Sequence, residues 1–169
     1  MSVESAMLVA RLVGELGEVS GRKRLQKIVH LLQATGAKEF GYRFILHYFG
    51  PYSKELANDL DFLSDVKILD ERPPGAGESS YKYAVFPEVM DEVNRMSDRD
   101  EGGEEWKKLA LELKKREVPF LEALSTIVFL SKRGRHGTRL RREFDRIKPN
   151  LNACFGQAEE FANRRGFLS

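Results

Sequence analysis

Apolar residues recur along the chain with two periods, and the first is helical. Val3, Met7, Ala10 and Val13 fall on one face, with Leu12 and Leu16 beside them and Gly17 as a stop, which predicts a helix over residues 3–16. Leu25, Ile28, Val29 and Leu32 stand at i, i+3, i+4 and i+7 and predict a second amphipathic helix ending near Gly36. Ser53 is suited to cap a third, whose buried stripe is Leu56, Leu60 and Leu63 with Ala57 and which ends near Ser64. The period then changes to two. VKILDER and YKYAVF read as strands, with Tyr81, Tyr83 and Val85 alternating with Lys82, Ala84 and Phe86, and the Pro/Gly-rich PPGAGESS between them reads as a hairpin tip. The aromatic run EFGYRFILHYFG stays open between a strand and a buried helical turn, which periodicity does not separate in so short a segment.

Beyond Pro87 a short helix with Val89, Met90 and Val93 leads into SDRDEGGEE, the best linker candidate. Four further stripes follow: Trp106, Leu109, Ala110 and Leu113; Leu121, Leu124, Ile127 and Val128 after Pro119; Leu140, Phe144 and Ile147 behind a cap at Thr138; and Leu151, Cys154, Phe155, Ala158 and Phe161 before a stop at Gly166. Helix, turn, helix and then a loose-tipped hairpin is the order of a winged helix-turn-helix. The expected fold is therefore mainly α with a small β-hairpin: a winged-helix-like part over residues 1–97, an acidic linker over 98–105, and a C-terminal helical extension over 106–169 packed on the first part as one compact unit.

Composition narrows the class. The 169 residues, 41% hydrophobic and 32% charged, suit one soluble domain with a real core. No apolar run approaches the roughly 18 residues a membrane span needs. Acidic residues break the apolar stretch of MSVESAMLVARLVGEL, so a signal peptide is not expected, and the expected location is the cytoplasm. A single cysteine, Cys154, leaves no intrachain disulfide and no cysteine-rich metal site. Net charge is only +2, but it is unevenly spread: residues 88–105 carry eight acids against Arg95 and Arg99, and residues 131–148 carry eight bases against Glu143 and Asp145. On the second helix Arg22, Lys23, Arg24 and Lys27 sit at the end the helix dipole disfavours, which calls for solvent or a partner.

Local chemistry is sparse. His30, His47 and His136 have no metal-ligand spacing to one another or to Cys154; His30 and His47 read as structural or surface residues and Cys154 as a small core residue. GAGESS lacks the Lys-Ser/Thr ending and following helix of a phosphate loop, and GxSxG is absent. The expectation is no enzyme, no cofactor and no metal. Nucleic acid remains in view, although the helix that would enter the major groove, residues 54–65, carries Lys54 against Glu55, Asp59, Asp61 and Asp65. Lys67, Arg72 and Lys82 on the hairpin are available for a DNA backbone. The stronger basic element is the stripe Arg139, Arg142 and Arg146, suited to nucleic acid or to an acidic protein.

The densest cluster is HYFGPYSKEL, residues 47–56. Gly50, Pro51 and Ser53 make a turn feeding a capped helix, and Tyr48, Phe49 and Tyr52 are expected to pack in the core or at a corner, with a partner surface as the alternative. RLQKIVHLLQ, FILHYFGPYSKELANDLDFL, LEALSTIVFL and RIKPNL together resemble the YwgA-type proteins of the SocA-like, Panacea-domain antitoxin group, over roughly residues 20–150. That group pairs a Leu-Gln-Lys helix, here Leu25, Gln26 and Lys27, with a Gly-Pro-Tyr turn, here Gly50, Pro51 and Tyr52, and commonly has an aromatic where His30 stands. The resemblance implies a mainly helical, non-catalytic regulator that binds a partner protein such as a toxin, or acts as an adaptor. Tyr48, Gly50, Pro51, Tyr52 and Ser53 are then the partner-binding candidates. A winged-helix DNA-binding regulator, with a homodimer as one form of it, is the alternative.

Overall fold

The computed structural model describes residues 2–96 and 103–168. Helix α1 (Val3–Leu16) starts at Ser2, whose side chain accepts from the Ser5 amide, and stops at Gly17, whose φ of 78° carries the chain out of the helix. Two residues of strand, β1 (Val19–Ser20), precede α2 (Arg22–Ala34). The aromatic segment resolves as strand: β2 (Ile45–His47) pairs antiparallel with β3 (Gly50–Tyr52), His47 facing Gly50, so that Tyr48 and Phe49 form a two-residue tip. Ser53 caps α3 (Lys54–Asp65), accepting from the Leu56 amide at 3.3 Å.

Strands β4 (Leu69–Arg72) and β5 (Lys82–Val85) form the expected hairpin, and β1 joins its far side, giving a three-stranded antiparallel sheet ordered β1-β5-β4. The alternation in YKYAVF is borne out for Tyr83 and Val85, which are buried, whereas Tyr81 lies before the strand and is exposed. A single 3₁₀ turn leads into α4 (Met90–Met96), and the acidic linker expected at 98–105 falls largely outside the described residues. Helices α5 (Glu105–Lys114), α6 (Val118–Ser131), α7 (Gly137–Ile147) and α8 (Asn152–Arg164) complete the described chain. The molecule is thus mainly helical with two small antiparallel sheets. Thr138 does not cap α7: the helix already begins at Gly137, so Thr138 sits inside its first turn.

Helix α6 is the centre of the core. It packs against α2, α7, α8 and β3, and every residue from 121 to 131 is buried, Glu122, Ser125, Thr126 and Ser131 included. That all-round burial explains why VPFLEALSTIVFLS is apolar almost throughout rather than striped. One continuous apolar cluster joins Leu25, Ile28 and Leu32 of α2 to Leu124 and Ile127 of α6 and Phe155 and Phe161 of α8. Among the described residues no helix is long and apolar enough to cross a membrane.

Candidate functional site

The turn singled out in the sequence is held from beneath by buried polar side chains. Gln26 of α2 pairs with Ser53 through both ends of its amide, Nε2 donating to the Ser53 carbonyl at 2.8 Å and Oε1 accepting from the Ser53 amide at 2.9 Å. One turn position further, Lys27 Nζ donates to the Pro51 carbonyl at 2.7 Å. Lys148, between α7 and α8, donates to the Tyr48 carbonyl and, at 2.7 Å, to Oε1 of Glu122 on α6. Gly50 has a φ of 85°, and a Cβ there would stand 3.0 Å from Thr126 Oγ1, so glycine is required twice over, by backbone conformation and by the close approach to α6. The Leu-Gln-Lys and Gly-Pro-Tyr elements are therefore two halves of one clamp.

What the clamp presents is apolar. Tyr48 is 80% exposed and Phe49 43% exposed at the tip, with Ile45 and Leu46 exposed on the strand leading to it. Tyr48 and Phe49 meet edge to face at 4.9 Å, while Lys23 Nζ lies 3.5 Å over the Phe49 ring. The expectation of core or corner packing fails for Tyr48 and Phe49: the two-residue tip projects past α2 and α6, so neither ring reaches the core. Tyr52 is half-buried, its ring tilted against that of exposed His47 at 5.3 Å, and Gly50, Pro51 and Ser53 are buried.

Between the hairpin, α2 and α3 lies a cleft of about 310 Å³, lined by Lys23, Lys27, His47, Phe49, Tyr52 and Leu60 among others. A wider groove of about 730 Å³ runs between the start of α1, the loop at Phe40 and the end of α4, and its charges, Glu4, Lys38, Glu39 and Arg95, are of mixed sign.

The basic start of α2 is mostly explained inside the protein, contrary to the expectation that solvent or a partner must justify it. Arg22 donates to Asp61 at 2.6 Å, Glu71 at 3.1 Å and the Tyr83 hydroxyl at 2.8 Å, tying α2 to α3 and to the sheet. Arg24 donates to the carbonyls of Lys114 and Arg116 and closes the C-terminal end of α5. Lys27 holds the turn. Only Lys23 faces solvent with no acidic partner among the described residues. Burial pushes the Lys27 amine down to about 8; Lys148 and Lys23 push the same way, and Glu122 opposes them. Burial, with Lys27 adding to it, pushes His30 down to about 3; its Nδ1 lies 2.7 Å from Ser125 Oγ and its ring 4.9 Å from Phe44.

The basic stripe of α7 is exposed opposite Leu140 and Phe144. Arg146 pairs with Glu143 at 2.5 Å, whereas Arg139 and Arg142 have no ion-pair partner among the described residues. Lys148, which follows α7 directly, bonds the Tyr48 carbonyl, so the C-terminal end of α7 meets the hairpin. Three side chains of this assembly, Lys23, Glu122 and Lys148, were not singled out as site residues from the sequence. The signal for the last two was polarity: Glu122 interrupts an apolar helix, and Lys148 closes the basic run 131–148.

The chain is similar to the protein named "Uncharacterized protein YwgA" of Bacillus subtilis (strain 168), with 30% identity over 86 residues. The match covers 50% of this chain and 51% of that relative, so the chain spans about half the length of the curated protein it matches. No family model matches. No solved structure matches.

Proposed function

We propose that this protein is a non-catalytic regulator, antitoxin- or adaptor-like, which binds a partner protein through the Tyr48–Phe49 tip and the adjoining basic face of α7. The observation that carries the reading is the pairing of an exposed apolar tip with a rigid base. Two aromatics stand in solvent on a hairpin whose backbone is fixed by Gln26, Lys27 and Lys148. Exposed aromatics are costly to a monomer and are the residues that dominate protein interfaces. Holding them in one conformation beforehand lowers the ordering cost of association. Arg139 and Arg142 of α7, without an ion-pair partner among the described residues, suit an acidic partner. The resemblance to the antitoxin group points the same way.

A DNA-binding regulator is the second reading, and one observation favours it. The order α1, β1, α2, β2, β3, α3, β4, β5, with a sheet ordered β1-β5-β4, is compatible with a winged helix that carries the β2–β3 hairpin between α2 and α3. Against it, α3 exposes Glu55, Asp61 and Asp65 beside Lys54, although Asp61 is matched by Arg22. The two readings separate by co-purification of the tagged protein, with and without nuclease. Partner binding predicts a stoichiometric protein that survives nuclease and is lost from the double variant Tyr48→Ser/Phe49→Ser. DNA binding predicts that association vanishes with nuclease and that Arg139→Ala/Arg142→Ala reduces the slope of log affinity against log salt by about 2.

A further inference from the structure

The cleft behind the tip carries a charge pattern that the protein-binding reading does not use. Lys27 and Lys148 are both buried, and the acid that faces them is Glu122 of α6, bonded to Lys148 at 2.7 Å. Asp61 and Glu71, the other acids near the cleft, are held by Arg22. Lys23 adds a third lysine at the mouth, resting on Phe49 rather than on a carboxylate. The site is thus short of negative charge; burial lowers the affinity of Lys27 for its proton, and Lys148 and Lys23 add to that. Arg22 and Gln26 also line it but are engaged within the protein, and the remainder is flat or apolar: Phe49, the tilted pair His47 and Tyr52, and Ala57 and Leu60 of α3.

From this arrangement we infer that the cleft is a binding site for a small flat organic anion, an aromatic carboxylate or phosphate monoester, with its ring against Phe49 and Tyr52 and its acidic group at Lys23 and Lys27. Size fits the class. A cavity of about 150 Å³ accommodates benzene, so about 310 Å³ holds one ring with its acidic substituent and is too small for a dinucleotide. Charge fits as well, because an entering anion completes the pairing of two lysines that share one glutamate, in a partly desolvated place where a charge-assisted hydrogen bond is strongest. Lys23 leaves the Phe49 face for the ligand, exchanging a cation–π contact for an ion pair.

The test is a heteronuclear NMR titration of the full chain with phenyl phosphate and with benzoate, using benzyl alcohol as a neutral ring and inorganic phosphate as an anion without one. The expected result is saturable shifts centred on Lys23, Phe49 and Tyr52 for at least one aromatic anion, with both controls binding more weakly. Lys23→Ala, a surface change, then weakens binding about tenfold, the size of one charge-assisted hydrogen bond. Lys27→Met is the second variant, used only if its spectrum remains folded, because Lys27 also holds Pro51. Four outcomes overturn the inference: no saturable shift with either aromatic anion, equal binding of the neutral ring, shifts centred on Arg139 and Arg142 instead of the cleft, or affinity unchanged in Lys23→Ala.

Discussion

Gln26 is 3% exposed, and both polar atoms of its amide engage the backbone of Ser53, which is itself fully buried. Replacing it with Leu keeps the volume but leaves the buried Ser53 N–H unpaired, at about 1–3 kcal/mol, while the Ser53 carbonyl keeps its bond from the Ala57 amide. Gln26→Leu is therefore expected to lower unfolding stability by about 2 kcal/mol in a urea titration, whereas a loss within about 0.5 kcal/mol, typical of a surface change, would mean that water replaces the side chain. His30 sets an acid limit. Its ordinary value is 6.5 and its folded value about 3, so above pH 6.5 it is neutral in both states and contributes no pH dependence. Between those values the unfolded chain binds a proton that the folded protein refuses, and stability falls with acid by at most about 1.4 kcal/mol per pH unit. His30→Phe keeps a ring against Phe44 and removes the proton site. Its stability curve should be flatter than that of the unsubstituted protein from pH 6.5 down towards 3, and parallel curves would contradict this account. At this scale the sequence reading was strongest for caps and stops: Ser53, Gly17 and Gly166 sit where their chemistry places them. It was weakest for Tyr48 and Phe49, because an aromatic beside a turn looks alike whether it points in or out, and only the position of the neighbouring elements decides.

The hairpin is the element whose geometry matters most. It is only three residues on each strand, too short to hold itself together, so its conformation depends on α2 and α6 beneath it. Gly50→Ala attacks that dependence, adding a Cβ 3.0 Å from Thr126 Oγ1 at a φ of 85°. Backbone strain alone costs about 1–3 kcal/mol, and at about 2–4 °C per kcal/mol for a chain of this size that corresponds to a fall in Tm of roughly 2–12 °C. A Tm within a degree or so of the unsubstituted protein would show that the turn yields freely. The helices were legible because each carries its own period: α1, α2 and α3 end within two residues of the expected positions. Strand β1 was not legible, since two residues leave no period to read, and its partner Tyr83 lies 64 positions away. The polar pairs of the clamp, Lys27 with Pro51 and Lys148 with Tyr48, were hidden for the same reason, because they exist only once α2, α6 and α7 have been brought together.

Across the whole molecule, residues from both ends of the chain support one small surface. Gln26 and Lys27 come from the second helix, Glu122 from the sixth and Lys148 from beyond the seventh, and all bear on the turn under Tyr48 and Phe49. The uneven charge evident in the sequence has a counterpart here, since the basic run 131–148 ends at the residue that bonds the tip. A fold that places its buried charges beneath two solvent-facing aromatics is organised to present them, and the central claim is that they meet a partner protein. The most direct test replaces Tyr48 with a photo-crosslinking phenylalanine analogue and, as the control, does the same at Leu111 on α5, which is also exposed. After irradiation in native lysate and nuclease treatment, a single discrete protein adduct from position 48 and none from position 111 is the predicted result. Adducts of equal strength from both positions, or none from position 48, would contradict it.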